Sequence, residues 1–593
     1  MMRIHFPLLD QTIEISEDSK VSDACAAVDL PLNLVCGGKG KCRKCLVTIK
    51  DDQGMQEVLG CQYPVSDEME IYISRERAAS QILETSANSE LPFNPAVKCF
   101  AIPYSDVQYP LCGYLFDGLK PHLPEDVKPL SRDMMKKLSE AAYAEDFDFL
   151  NVICHDHEVI DILPSNGTKT IYGIAFDIGT TSVVGYLYDL SSGVLRNQYS
   201  TLNKQIAFGG DVISRIDYAG ESPEHLAEIH RYILDTLTEI INVLCEKSNI
   251  DAQEIYNIVL CGNSTMQHLF LEVSPLHLGL APFVSPNKHS VRMSGDTFSL
   301  PINPRGIMSF MPLLGGFVGA DTTAVLLGLP RDHKLRLMID LGTNGEIAVG
   351  NHEKYYVAST ACGPALEGAG LTMGMRGTTG AIEKVTVKDG KIHCKVIGDV
   401  PAKGFCGSGI IDAIAMLFRE GAIAKRGNFI KGDALDAHPM KNRFGTDEDG
   451  QRYFKIVTAA EHPEGKDIII TQKDIRSVQL AKAAIYTGCC LLTENYGIKG
   501  SDLEEIVIAG AFGNYIDVHN AQSIGLLPLI EGVPVRSIGN GAGTGAQLYL
   551  LSKEEMDVCD AIPDITTHVE LATDPNFTNA YMQNMFFGDN IMI

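Results

Sequence analysis

The sequence predicts a multidomain α/β protein. Its parts are a small β-rich cysteine domain over residues 1–75, a linker over 76–98, a small middle domain over 99–170, and a duplicated α/β unit over 171–334 and 335–593. Three observations carry this reading. Three cysteines crowd one glycine-rich loop near the N-terminus, and a fourth follows. A strand ending in Asp, then Gly and hydroxyls, occurs at residues 174–182 and returns near residue 340. A chain of 593 residues also exceeds what one core fills.

Composition narrows the classes. Hydrophobic residues make up 45% and charged residues 21%, the balance of a folded globular protein. The formal net charge of -26 repels phosphate backbones at long range, which excludes a nucleic-acid binder. No apolar run reaches the roughly 18 residues of a membrane span, so no membrane partner is expected. The N-terminus has no apolar signal-peptide segment. Sixteen cysteines without such a signal point to the reducing cytoplasm, where they serve as metal ligands or small buried hydrophobes.

Residues 1–16 alternate around a turn at Leu9-Asp10-Gln11 and predict a hairpin. Val21, Ala24 and Val28 stand at helical spacing. Then comes Cys36-Gly37-Gly38-Lys39-Gly40-Lys41-Cys42-Arg43-Lys44-Cys45, with strands expected at 46–50 and 69–73 and Cys61 between them. The gaps between the four cysteines are five, two and fifteen residues. Glycine lets such a loop fold round a cluster and turn N–H groups toward its sulfurs. Structural zinc sites show paired Cys knuckles, and only one such pair is present. The stretch resembles a 2Fe-2S ferredoxin, with a first gap like the adrenodoxin type. The resemblance implies a β-grasp fold and a 2Fe-2S cluster on Cys36, Cys42, Cys45 and Cys61. The gap before Cys61 is shorter than in most ferredoxins, but Gly60-Cys61-Gln62 resembles the last-ligand context better than the surroundings of Cys25 do. Lys39, Lys41, Arg43 and Lys44 make the loop basic, serving either solubility or the docking of an acidic electron-transfer partner.

The polar, Pro-containing stretch 76–98 is expected to be a mobile linker. In the middle piece a helix is expected at 133–143 and a strand pair at 149–154 and 158–163, turning at His155-Asp156-His157. No chemistry is assigned there.

The rest of the chain repeats. Phe176-Asp177-Ile178-Gly179-Thr180 returns as Ile339-Asp340-Leu341-Gly342-Thr343. Ile258-Val259-Leu260-Cys261-Gly262 returns as Ile506-Val507-Ile508-Ala509-Gly510. Gly319-Ala320-Asp321-Thr322-Thr323-Ala324 returns as Gly541-Ala542-Gly543-Thr544-Gly545-Ala546. The order is the same in both copies, and the second carries about eighty-five extra residues after its first landmark. Helical stripes at 226–244 and 478–492 suit strands buried under crossovers. Two facing lobes with a Gly–hydroxyl turn each make a phosphate clamp, with Asp177 and Asp340 facing each other across Mg²⁺ and a triphosphate.

This pattern resembles the actin-like (ASKHA) ATPase superfamily, with its ribonuclease H-like fold. The resemblance implies ATP bound between two phosphate loops. The first contributes Asp177, Gly179, Thr180 and Thr181, and the second Asp340, Gly342, Thr343, Asn344 and Gly345. It places Gly510 and Gly513 against the adenosine, and makes 319–323 and 541–545 the helices that hinge the lobes. Asp321 has no acidic counterpart at Gly543. In the insertion Glu367 either orients water toward the γ-phosphate or is a surface-turn residue.

Taken whole, the chain resembles the reductive activators of corrinoid proteins. The resemblance implies ATP-dependent transfer of one electron from the 2Fe-2S cluster, converting Co(II) to Co(I) in a corrinoid protein of a methyltransferase system. It also implies an electron donor, a ferredoxin or a flavoprotein reductase. Members are often homodimers, a property no residue of this chain signals. A branch with its clusters in a C-terminal ferredoxin domain is excluded, because only Cys559 lies beyond Ser552. Two alternatives stand beside this reading: an actin-like kinase or phosphotransferase with a regulatory cluster, and an activator of a radical dehydratase.

Overall fold

The structure, a computed structural model, describes the chain except residues 1, 18, 29–31, 33–44, 52–53, 74–90, 109–112, 145, 343, 369, 511–514, 589–591 and 593. Cys36, Cys42, Thr343, Gly513 and the basic loop residues 39–44 therefore lie outside the described residues.

Near the N-terminus, β1 (Met2–Phe6), β2 (Gln11–Ile15), β3 (Leu46–Asp51), β4 (Gly54–Leu59) and β5 (Met69–Tyr72) form one sheet in the order β2-β1-β5-β3-β4. Only β1 and β5 run parallel. This is a β-grasp sheet, with the helix Val21–Ala27 supplying Val21 and Ala24 to a core of Ile4, Phe6, Ile49, Met69 and Ile71. The first hairpin turns at Asp10, whose φ of 52° is a conformation Asp tolerates. The sequence does not predict β4. It is an edge strand paired with β3 from Leu46↔Leu59 to Asp51↔Gly54, and its Gln56 and Glu57 dilute any apolar alternation.

Next, β6 (Val97–Pro103), β7 (Phe149–His155) and β8 (Glu158–Ser165) form an antiparallel sheet under the helix Arg132–Ala142, which Ser131 caps through the Met134 N–H. The helix and the β7–β8 hairpin match the sequence reading; β6 does not appear in it. Just before β6, Asn94 is pinned. Its N–H donates to the Leu551 carbonyl, and its own carbonyl accepts from the Lys553 N–H, both at 2.8 Å.

The first lobe contains β9 (Tyr172–Ile178), β10 (Ser182–Asp189), β11 (Leu195–Leu202), β12 (Ile255–Gly262), β13 (Val291–Ser294) and β14 (Ile307–Phe310), ordered β11-β10-β9-β12-β14-β13. The second begins with β15 (Arg336–Leu341), β16 (Gly345–Asn351) and β17 (Lys354–Thr360). An insertion follows, with small sheets of β18 (Ala381–Lys388), β19 (Lys391–Val396) and β20 (Gly404–Phe405), and of β21 (Phe444–Thr446), β22 (Arg452–Val457) and β23 (Ile468–Thr471). The lobe resumes with β24 (Glu505–Ala509), β25 (Val535–Gly539) and β26 (Thr566–His568), and its sheet is ordered β25-β24-β15-β16-β17-β26. Read from the third strand of each copy, β11-β10-β9-β12-β14 and β17-β16-β15-β24-β25 are one ribonuclease H-like topology. The registers agree residue for residue: Cys261 stands opposite Asp177, and Ala509 opposite Asp340.

Long crossover helices bury these strands. Pro223–Ser248 starts with Pro at its first position under a Ser222 cap and stops at Asn249 in the left-handed region. Its stripe of Ile229, Ile233, Leu237, Ile240, Ile241 and Leu244 is fully buried. Gln472–Tyr496 starts in a Thr471–Asp474 capping box and stops at Gly497, φ 90°.

Helices Ala320–Leu327 and Gly541–Leu551 cross at the waist between the lobes. A Cβ on Gly545 would run into the Ala324 carbonyl, so only glycine permits this approach. Gly545→Ala is expected to force the helices apart, at a cost of about 1–3 kcal/mol. Thermal unfolding should show a lowered midpoint; a variant as stable as the parent would mean the contact yields freely.

Candidate functional site

Each lobe brings its acidic strand end to the waist. β9 delivers Asp177 and closes its loop with the Gly179 N–H donating to the Ser182 carbonyl at 3.0 Å. β15 delivers Asp340, and the Gly342 N–H donates to the Asn344 carbonyl at 3.1 Å. The first loop spans 179–182 between the paired Ile178 and Val183. The second spans 342–344 between Leu341 and Gly345, one residue fewer.

Four carboxyls meet there. Burial raises Asp177 above its usual range, against the opposing effect of its Asn540 hydrogen bond. Burial pushes Asp321 up to about 6, with the Asp177 charge adding to the rise and the Thr322 N–H at 2.7 Å opposing it. Burial, then the Asp321 and Asp177 charges, push Asp340 up to about 7. Glu346 is raised well above its range by burial and by Asp321 and Asp340, although the Ser359 hydroxyl donates to it at 3.3 Å. Asp177 acts on Asp321, Asp321 and Asp177 act on Asp340, and Asp321 and Asp340 act on Glu346, so these carboxyls feel one another's negative charge. Glu346 is buried and the three Asp are half-buried, and such a set of oxygen donors with surplus negative charge fits a divalent cation such as Mg²⁺.

Two amides organise the waist. Asn540 caps the helix Gly541–Leu551 by accepting from the Gly543 N–H, and donates to Asp177 Oδ2 at 2.9 Å. Asn263 caps Ser264–Phe270 and donates to Thr180 Oγ1 at 3.0 Å. Gly510, φ 103°, lies where a Cβ would meet Asp340 Oδ1 at 2.9 Å and the Leu341 carbonyl at 2.6 Å. Glu367 ends a 3₁₀ turn between Gly363 and Gly368, both at positive φ, with Oε1 over Gly342. Arg376 is pulled down by burial, and the nearby Glu367 charge opposes this. Gly345 opens β16 and packs under Thr360 and Ile485.

Thus Asp177, Asp340, Gly179, Thr180, Gly342, Asn344, Gly510 and Glu367 converge on the waist, and Asp321 joins them. Sequence reasoning does not single out Glu346 or Asn540. Glu346 had a signal: a tight hairpin at 342–344 sets residue 346 opposite 340. Asn540 had none, because its partner lies in the other lobe.

In the β-grasp sheet, Cys45 Sγ and Cys61 Sγ approach to 3.2 Å without a disulfide, both buried, with the Gly60 N–H donating to the Cys45 carbonyl. Two converging thiols are a donor set that fits an iron–sulfur centre. Cys25 lies in the core of the same sheet, its thiol pushed up to about 12 by burial, as for an inert structural cysteine.

Comparison with known proteins agrees. Residues 2–76 match the 2Fe-2S iron-sulfur cluster binding domain, residues 172–332 the RACo middle region, and residues 334–592 the C-terminal domain of RACo, the ASKHA domain. The chain is 70% identical to the corrinoid activation enzyme RamQ of Eubacterium limosum over all of both chains. It belongs to the reductive activators of corrinoid proteins. The activator is also 26% identical to the [Co(II) methylated amine-specific corrinoid protein] reductase of Methanosarcina barkeri, over 70% of this chain and 76% of that one. The solved structure of a reductive activator for corrinoid, iron-sulfur protein aligns with a TM-score of 0.74 at 30% identity, covering 99% of this chain and 98% of the other. The activator thus joins a 2Fe-2S domain to an ASKHA ATPase domain.

The carboxyl cluster sets a pH dependence. Unfolded Asp titrates near 4, whereas folded Asp340 holds its proton to about 7. Its stabilising contribution without a cation is therefore full below about pH 4 and is lost as pH rises to about 7. Thermal unfolding in EDTA should show Asp340→Asn gaining on the parent between pH 5 and 8, and Mg²⁺ should stabilise the parent more at pH 8 than at pH 5. A pH-independent difference would contradict the shared burial of these carboxyls.

Proposed function

We propose that this activator passes one electron from its 2Fe-2S cluster to a corrinoid protein of a methyltransferase system, converting Co(II) to Co(I), with ATP in the waist making that delivery effective. What carries the reading is the full-length 70% identity to a corrinoid activation enzyme, together with the thiol pair and the carboxylate waist on one chain.

Cys36, Cys42, Cys45 and Cys61 hold the cluster, which supplies a one-electron couple near roughly -400 mV, the range of plant-type ferredoxins. Each 59 mV uphill costs about 1.4 kcal/mol, a tenfold loss in equilibrium, so a low-potential cobalt fills only when its competing state is disfavoured. The chain's contribution is a differential grip on the partner. Asp177 and Asp340 hold Mg²⁺ between the lobes. Gly179, Thr180, Thr181, Gly342, Asn344 and Gly345 would line the phosphates and Gly510 would leave room for the adenosine, while the family resemblance assigns Thr343 to the phosphates and Gly513 to the adenosine. Glu367 orients water over the second loop. The Asn540–Asp177 bond carries a change in the waist into the hinge helix, so nucleotide and partner bias the same closure.

The positive charge of Lys39, Lys41, Arg43 and Lys44 suits an acidic electron donor, a ferredoxin or a flavoprotein reductase. Among the described residues no helix is long and apolar enough to cross a membrane. The cytoplasm suits sixteen cysteines and an air-sensitive task.

Anaerobic mixing with a Co(II) corrinoid protein and a chemical reductant should build the Co(I) absorbance in the presence of Mg-ATP. Cys42→Ala should abolish the change. Asp340→Ala should reduce it to the nucleotide-free level. Full activity in Cys42→Ala would refute the cluster as the electron source, and full activity in Asp340→Ala would refute the waist as the nucleotide site.

A further inference from the structure

We propose that Arg215 and Asn203 are positioning residues that turn the amide N–H groups of the first loop toward a phosphate of the nucleotide. This rests on the reading of residues 176–181 as a phosphate loop.

Behind that loop every carbonyl is tied down. The Gly179 carbonyl accepts from Asn203 Nδ2 at 2.9 Å, the Thr180 carbonyl from Arg215 Nη2 at 2.5 Å, and the Thr181 carbonyl from the Asn203 N–H at 3.0 Å. In a planar trans peptide the C=O and the next N–H point in opposite directions. Anchoring the Gly179 and Thr180 carbonyls to the rear therefore turns the Thr180 and Thr181 N–H groups to the front. Among the described residues neither N–H has a hydrogen-bond acceptor, although Thr180 is buried. Buried N–H groups rarely stay unpaired in proteins, and two adjacent ones facing a cleft form an anion-binding nest.

The anchors are built for this task. Asn203, Gln205 and Arg215 are all fully buried. Arg215 donates to neutral acceptors, the carbonyls of Thr180 and Gly209 and Gln205 Oε1. No carboxylate accepts a hydrogen bond from it among the described residues; burial pulls it to about 9, the Asp211 charge opposes this, and it stays charged at neutral pH. A buried cation hydrogen-bonded only to neutral acceptors is costly, and an anion arriving beside it offsets part of that cost.

Among the described residues the second lobe shows a different arrangement. Strand register pairs Val183 with Thr201 and Gly345 with Thr360, which makes Cys362 the counterpart of Asn203. Its Sγ lies 3.6 Å from the Gly342 carbonyl, a weak thiol donor in place of an amide. Opposite Asp340 stands Glu346, where the first lobe has Val184 opposite Asp177. The waist is therefore polarised: the first loop suits the anionic phosphate chain, and the second suits its cation.

The test is calorimetric binding of Mg-ATP and of adenosine to full-length Arg215→Met, Arg215→Lys and Asn203→Ala proteins, with thermal unfolding as a fold control. Arg215→Met and Asn203→Ala should weaken ATP about tenfold while leaving adenosine within about twofold, and Arg215→Lys should recover part of the loss. Should Arg215→Met fail to fold, Arg215→Lys and Asn203→Ala give the same comparison. Equal losses for ATP and adenosine, or parent-like ATP affinity in Asn203→Ala and both Arg215 variants, would overturn the proposal. Asp177→Asn separates the causes: if it too keeps parent-like ATP affinity, the phosphate-loop reading itself has failed.

Discussion

Four carboxyls that repel one another, Glu346 buried and the other three half-buried, hold the key position in this molecule. Asp177 and Asp340 end equivalent strands of two lobes, Asp321 opens the helix that hinges them, and Glu346 stands across a hairpin from Asp340. Each is raised by burial, and Asp321, Asp340 and Glu346 are raised further by the charges of neighbouring carboxyls. Such a centre is stable in only two ways: with protons on it, or with a cation in it. Everything else at the waist manages that choice. Gly510 and Gly545 let backbones close in, and Asn540 satisfies one oxygen of Asp177 from the far helix.

Much of this was legible in the residue order because the chain contains its own comparison. The Asp–Gly–hydroxyl landmarks recur in sequence, and the strand registers around Asp177 and Asp340 prove equivalent. Continuous apolar runs announced β9, β12, β15 and β24, since strands covered on both faces need no polar alternation. Edge strands β4 and β6 stayed hidden for the converse reason: their polar and proline residues resemble loop. Arg215 and Asn203 were also invisible. Nothing in their local sequence separates a buried polar anchor from a surface side chain; only the tertiary fold, which carries them behind the first loop, does so.

The two lobes share a fold but have diverged in charge. The register-matched pairs Val184/Glu346 and Asn203/Cys362 place the acid on one side and the strong amide donor on the other. The β-grasp sheet adds a different chemistry, with Cys45 and Cys61 converging without a disulfide. Joining a one-electron centre to a nucleotide clamp makes sense where the electron must reach an acceptor of lower potential, because differential binding can supply what redox potential alone cannot.

That coupling is most directly read in an equilibrium titration. A Co(II) corrinoid protein is poised over a series of potentials with the reduced activator, with and without Mg-ATP, and the Co(I) fraction is recorded. The account predicts that the apparent cobalt midpoint moves to a less negative value when nucleotide is present. One midpoint under both conditions would contradict it.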